Sequence, residues 1–169
     1  MVKSVIAILL FMAGAASSAI MINWARGHLR ARQYALPIGV QGGLFLGLAG
    51  IGAMGISDPW LKLIGLWWLC FIMGLQNATI TKISYARMRT THATGMITDV
   101  GIELGKTIYG AVSPASGVSG DRRKLMILLR LLGVFLLGGI VGALGYGTFG
   151  FYFSLPLAGL LLVLALIVR

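Results

Sequence analysis

Five stretches of this chain are each long and apolar enough to cross a hydrocarbon core, a distance that takes about 20 residues of helix. They run over residues 4–24, 34–56, 60–79, 125–146 and 149–168. Aromatic residues with one polar atom mark several of their ends: Trp24, Tyr34, Trp60 and Tyr146. Such rings favour the headgroup level, where the flat apolar body and the polar tip are both satisfied. The expected fold is therefore all-α: a polytopic transmembrane bundle of five spanning helices with one further helix, argued below, that does not span.

Composition agrees with the pattern. Only 11% of the residues are charged and 58% are hydrophobic. A soluble domain carries about a quarter charged residues, so this chain has too few to cover a surface facing water. The net charge of +10 raises nucleic acid as a partner. Its distribution argues against that, because the basic residues fall in short clusters between apolar runs: Arg26, Arg30 and Arg32; Lys82, Arg87 and Arg89; Arg122, Arg123 and Lys124. Clusters of that kind mark cytoplasmic loops. The expected partner is the lipid bilayer, with a homo-oligomer as a further expectation and no nucleic acid. The single cysteine, Cys70, lies inside an apolar run and reads as a small hydrophobe. No metal site and no cofactor are expected.

The chain carries an internal duplication. Phe11 to Ala19 aligns with Phe135 to Ala143, placing Gly14 on Gly138 and Ser18 on Gly142, and each twin is followed by a span opening with Leu-Pro, at Leu36-Pro37 and Leu155-Pro156. The first span also imitates a secretory signal, with Lys3, an apolar run and small residues up to Ala19, but the apolar stretch continues to Trp24. A retained helix is the expectation. Placing the basic loops inside makes the first span point inward and its twin outward, so the repeat is inverted and the C-terminus cytoplasmic. On this reading residues 1–169 form a single membrane domain. Residues 4–56 supply the second half of repeat 1 and residues 59–168 supply repeat 2, so the first half of repeat 1 is missing.

The same accounting leaves residues 91–110 with basic flanks on one side of the bilayer. This segment is expected to re-enter the membrane or lie on its surface. At 100° per residue, His92, Asp99, Glu103 and Lys106 fall within an arc of about 60°. Ile97, Val100, Leu104 and Ile108 lie opposite, and Thr94, Thr98, Gly101 and Gly105 form a stripe of small residues. Gly95, Gly101, Gly105, Gly138 and Gly142 are the expected sites of close helix packing. Asp99 and Glu103, four residues apart, repel unless a cation, a shared proton, Lys106 or another helix intervenes. Upstream, Gln76 and Asn77 end an apolar span, where an unsatisfied amide is costly. Hydrogen bonding between helices and coordination of a solute both account for them.

Two motifs in these regions are recognisable: Gly74-Leu-Gln76-Asn77-Ala78, and Arg89-Thr90-Thr91-His92-Ala93-Thr94-Gly95-Met96-Ile97-Thr98-Asp99-Val100-Gly101. The chain resembles the YoaK-type family of bacterial membrane proteins, known chiefly as a domain of unknown function. The resemblance implies a compact multi-helix inner-membrane protein and brings no established substrate. Members of that family resembling this chain carry an earlier Asp-Ala helix and a Thr-Gly-Asn segment, which match the half-repeat missing here.

Three function classes follow. The leading expectation is a small-solute transporter or channel-like protein working by an inverted-repeat mechanism, since such proteins place polar side chains at the repeat interface. Its binding candidates are Gln76, Asn77, Thr91, His92, Thr94, Asp99 and Glu103, with His92 and Asp99 suited to proton coupling. The alternative is a non-transporting membrane scaffold or assembly subunit. An enzyme is not expected, because the chain has no His-Glu-x-x-His, no Gly-x-Ser-x-Gly and no phosphate-binding glycine loop.

Overall fold

A computed structural model describes residues 2–28, 32–54, 59–84 and 93–168, and every regular element among them is helical. The helices are α1 (Val2–His28), α2 (Ala35–Ala53), α3 (Pro59–Ile83), α4 (Ala93–Val112), α5 (Arg122–Phe149) and α6 (Ser154–Ile167). Short 3-10 turns occupy Pro114–Ser116 and Gly150–Phe153.

Local chemistry sets the ends. Prolines stand in the first turn of three helices, at Pro37, Pro59 and Pro156, where a missing N–H breaks no helical hydrogen bond. Asp121 caps α5: its Oδ1 accepts from the backbone N–H of Lys124 at 3.0 Å. At the end of α1 the His28 ring stacks on Trp24, with centroids 4.6 Å apart, and its Nδ1 lies 2.9 Å from the Trp24 carbonyl oxygen. Gly150 joins α5 to the turn that follows with φ +56°, a left-handed conformation that glycine adopts without strain.

Among the described residues, four helical stretches are long and apolar enough to cross a membrane: Val2–His28, Ala35–Ala53, Pro59–Ile83 and Arg122–Ile167. The last is a continuous helical run of 46 residues that contains both the fourth and the fifth expected spans. Alone, α6 has 14 residues and a rise of about 21 Å, short of a hydrocarbon core. The expected start of that span at residue 149 is displaced by the 3-10 turn, which places three aromatic residues ahead of the helix. Large apolar side chains are exposed on all of these helices, among them Ile8, Leu46, Leu66, Val134, Leu137 and Leu160. A surface of that kind calls for lipid as its solvent. This is a membrane protein.

The chain forms two compact units, Met1–Arg89 with Leu144–Arg169, and Thr90–Ala143. In the first, α1 and α3 run parallel, since their contacting residues rise together: Lys3 with Trp67, Gly14 with Phe71 and Leu75, Ser18 with Thr79. Their backbones touch. A Cβ on Gly14 would stand 3.0 Å from Leu75 N and nearer still to the Phe71 carbonyl oxygen; one on Gly74 would press on the Phe11 carbonyl in the same way. Between helices in lipid there is little hydrophobic driving force, so such close approach supplies the attraction through dispersion. α2 runs antiparallel to α6, with Gly39 against Ala165, Gly42 against Leu162 and Gly52 against Phe151. It is likewise antiparallel to α3, where Gln41 meets Thr79 and Gly47 meets Trp68. The core joins Phe45 and Leu48 of α2, Ile72 of α3, Phe151 of the turn and Ala158 of α6.

In the second unit, α4 is followed by a turn that packs back on it. Gly120 lies against the Glu103 carbonyl and Thr107, and Gly110 against the Val118 carbonyl, approaches that leave no room for a Cβ.

Candidate functional site

The polar groups gather at two places, one in each unit. In the first unit, three helices contribute to a buried cluster. Thr79 of α3 donates its hydroxyl to the Leu75 carbonyl at 2.8 Å, as a threonine inside a helix commonly does. Its oxygen lies 2.8 Å from Ser18 Oγ of α1 and accepts from Gln41 Nε2 of α2 at 3.3 Å. With the single Thr79 proton given to Leu75, Ser18 donates to Thr79, and the hydroxyl is saturated by one bond given and two received. Ser18, Gln41 and Thr79 are each 2% exposed or less. Counting along each helix, they lie about 6 to 15 Å from the ends at Ile83, Ala35 and His28.

Asn77 lies two residues before Thr79. Its Nδ2 is buried and has no hydrogen-bond partner among the described residues. A buried amide N–H left unpaired costs about 1–3 kcal/mol, so it marks a place where an acceptor would be welcome. Gln76 beside it is half-buried.

The second cluster centres on Glu103 of α4, which is 2% exposed. Its Oε1 accepts from Lys106 Nζ at 3.2 Å and from Lys124 Nζ at 3.0 Å, and its Oε2 accepts from the Asp121 backbone N–H at 3.0 Å. The Asp121 N–H, followed by the two ammonium groups, lowers its pKa from 4.5 to about 2, against the opposing effect of burial. Both oxygens are occupied, so this carboxylate acts first as a clamp between α4 and the start of α5. The expected repulsion with Asp99 is relieved by these two lysines, one on the same helix and one on the next. Asp99 is half-buried, and Thr94 is exposed. Thr91 and His92 lie outside the described residues, as do Asp58, Arg30, Arg87 and Arg89.

Thus Gln76 and Asn77 share one place and Thr94, Asp99 and Glu103 another. The small-residue sites behave differently from one another. Among the described residues, no other element comes within 4 Å of where a Cβ would stand on Gly101, Gly105, Gly138 or Gly142, and Gly95 is exposed. Glycines in close contact with another element include Gly14, Gly42, Gly47, Gly65 and Gly74.

A family model described as a protein of unknown function, DUF1275, matches residues 1–167. The chain belongs to that family. No curated protein and no solved structure matches this DUF1275 chain. The functional reading therefore rests on its own geometry. Among the described residues no three histidine, cysteine, aspartate or glutamate side chains are grouped to hold a metal ion.

Sequence reasoning missed Ser18, Gln41 and Thr79 as a set. Gln41 carried the clearest signal, as an amide six residues into an apolar helix whose other polar content is nil. Ser18 and Thr79 sit among small and polar neighbours, and only the parallel packing of α1 on α3 brings them together.

Proposed function

We propose that this DUF1275 protein is a small-solute transporter or channel-like protein of the bacterial inner membrane, in which Asn77 and Gln76 bind the solute. The observation that carries the reading is the buried Asn77 Nδ2 within a spanning helix, which has no partner among the described residues. Evolution of a membrane helix has little reason to bury an unpaired donor unless something with an acceptor visits it. The saturated Ser18–Gln41–Thr79 cluster holds three helices in register, and Asn77, about 200° around α3 from Thr79, takes no part in it. The antiparallel packing of α2 on α6, each opening with a Leu-Pro pair, supports an inverted-repeat mechanism. In the second unit, Asp99 and His92 remain the candidates for proton coupling, and Thr91 and Thr94 candidates for solute binding of their own.

Cysteine accessibility tests this without knowledge of the solute. Cys70 is the chain's single cysteine, so Cys70→Ser gives a clean background. In that background Asn77→Cys should react with a membrane-impermeant methanethiosulfonate, whereas Leu75→Cys, fully buried, should not. An unreactive Asn77→Cys in a folded protein would remove the solute path.

A specific observation also favours the scaffold reading. The α4 face carrying Ile97 and Ile108 is 56% and 64% exposed at those residues, while Glu103 is fully engaged as a clamp. An amphipathic helix so arranged suits the membrane surface or a partner. Uniform labelling of cysteines placed along residues 94–106 from the cytoplasmic side would support that reading; a protected stripe along Thr94 and Asp99 would support transport.

A further inference from the structure

The middle of α4 makes two demands on its surroundings. On one side stands Glu103, whose ion-pair partners Lys106 and Lys124 are half-exposed. Ammonium groups left open in this way need water or headgroups, because hydrocarbon would strip their hydration and replace none of it. The adjoining Leu104 is 44% exposed, and Ile97 and Ile108 are more open still. At 100° per residue these three apolar side chains fall within about 40° of one another, on the side away from Asp99, Glu103 and Lys106. Among the described residues no other element packs beside them: none comes within 4 Å of where a Cβ would stand on Gly101 or Gly105. Both faces run lengthwise, from Ile97 to Ile108 on one side and from Asp99 to Lys106 on the other. A helix that crosses a membrane changes solvent from end to end. One that changes solvent from side to side lies flat at a boundary. The two sides are about 10–12 Å apart, and the lipid–water interface supplies both solvents within that distance.

The level of that boundary is fixed within the same unit. The turn after α4 folds back, with Gly110 against the Val118 carbonyl and Gly120 against the Glu103 carbonyl. Glu103 then holds the Asp121 N–H and the Lys124 ammonium at the start of α5. Beyond Lys124 exposed apolar side chains begin at once, with Met126, Ile127 and Leu129, on a helix whose surface calls for lipid. The clamp therefore stands where α5 leaves the polar layer, and α4 is tied to that level near its midpoint. The lipid that α5 already requires is the apolar solvent within reach of Ile97, Leu104 and Ile108. Tyr109, exposed between Ile108 and Lys106 around the helix, suits the border, where its ring and its hydroxyl are both satisfied.

We infer that α4 lies along the bilayer surface of the leaflet where α5 begins, with Ile97, Leu104 and Ile108 seated among the acyl chains and Asp99 and Lys106 in water. The partner of this apolar face is lipid. Asn77 lies in the other unit and plays no part in the placement.

Spin labels test this on the full chain in the Cys70→Ser background. One nitroxide-labelled cysteine at a time replaces Ile97, Asp99, Leu104, Lys106 or Ile108, and each variant is reconstituted in vesicles of phosphatidylcholine with phosphatidylglycerol. Power-saturation EPR then compares collisions with oxygen, which concentrates in lipid, and with a nickel chelate, which stays in water. Labels at 97, 104 and 108 should favour oxygen and sit about 5–10 Å into the boundary between headgroups and acyl chains, whereas those at 99 and 106 should favour nickel. The depths at 97 and 108 should agree. A helix pointing along the membrane normal would separate them by about 16 Å, and a difference approaching that value would overturn the flat placement. Nickel access at 97 and 108 equal to that at 99 would overturn it by putting the apolar face in water. Shielding of 97, 104 and 108 from both reagents would overturn it as well, since protein would then cover the face in place of lipid.

Discussion

α1 and α5 share a pattern of small residues, with Gly14 and Ser18 in one aligned on Gly138 and Gly142 in the other, yet they are held in different ways. α1 is gripped through its middle: Gly14 lets the backbone of α3 come into contact, and Ser18 closes the hydroxyl cluster one turn later. α5 is held at its beginning, by the Asp121 cap and by Lys124 on Glu103, while Gly138 and Gly142 meet no atom within 4 Å. A small-residue stripe is therefore a permission rather than an attachment. It becomes an interface only where a second helix brings its own small residue opposite, as Gly74 does for α1. Charge does the corresponding work where water is within reach, because an ion pair of this kind would be costly to bury in hydrocarbon.

The largest effect should come from breaking the α1 contact. In Gly14→Leu the added atoms would have to displace the α3 backbone at Phe71 and Leu75, which no side-chain rotation can relieve. The expected loss is about 3 kcal/mol or more, at the upper end for overpacking. Thermal unfolding in detergent should show it, and Gly74→Leu should match it. A nearly unchanged midpoint in both variants would mean that α1 and α3 are not in backbone contact.

Next in size is the tether of α5. Glu103 has its pKa lowered to about 2 from 4.5, so its ionised form is the one the fold favours. Its contribution is then fully present above about pH 4.5 and is lost as the pH falls toward 2, because the unfolded state takes up a proton first. The Asp121 amide, which donates directly to Glu103, is the natural reporter. Its hydrogen exchange, taken relative to the intrinsic rate at each pH, should be protected at pH 6 and lose protection across that window. In Glu103→Gln the protection should be weak at both ends and no longer depend on pH there. Retained pH dependence in that variant would assign the clamp to another group.

Much of this was legible in the sequence, and the parts that were not have a common cause. Apolar runs located α1, α2, α3 and α5 because the bilayer imposes a length that a single helix must satisfy. α1 runs on to His28 because that ring stacks on Trp24, a contact within one element that hydropathy does not register. α6 begins at Ser154 because Gly150 takes a positive φ and three aromatics follow it in a 3-10 turn, again a local event inside an apolar run. Asp99 and Glu103 were visible as a strained pair, and the relief by Lys106 lay on the same helix. The share taken by Lys124 required the turn after α4 to fold back, which Gly110 and Gly120 permit and which no spacing announces. Asn77 could be singled out as a costly amide, whereas Ser18 and Gln41, the partners of Thr79, come from helices whose register only packing determines.

The smallest expected effect is the most discriminating. Gly138→Leu alters the residue aligned with Gly14, but at a position where no other element among the described residues stands within 4 Å of the added Cβ. Replacing an interior helical glycine by leucine favours the helix by up to about 1 kcal/mol, so the midpoint should hold or rise slightly. Set beside Gly14→Leu, the pair of variants separates the effect of a small residue as such from the effect of the helix opposite it. If Gly138→Leu instead destabilises the protein as strongly as Gly14→Leu, a helix from a second copy or another chain must occupy that face of α5. The two aligned segments would then be equivalent in packing as well as in sequence. A stabilised Gly138→Leu would leave α5 facing lipid there, and its small residues would mark a correspondence with α1 that this chain does not use for contact.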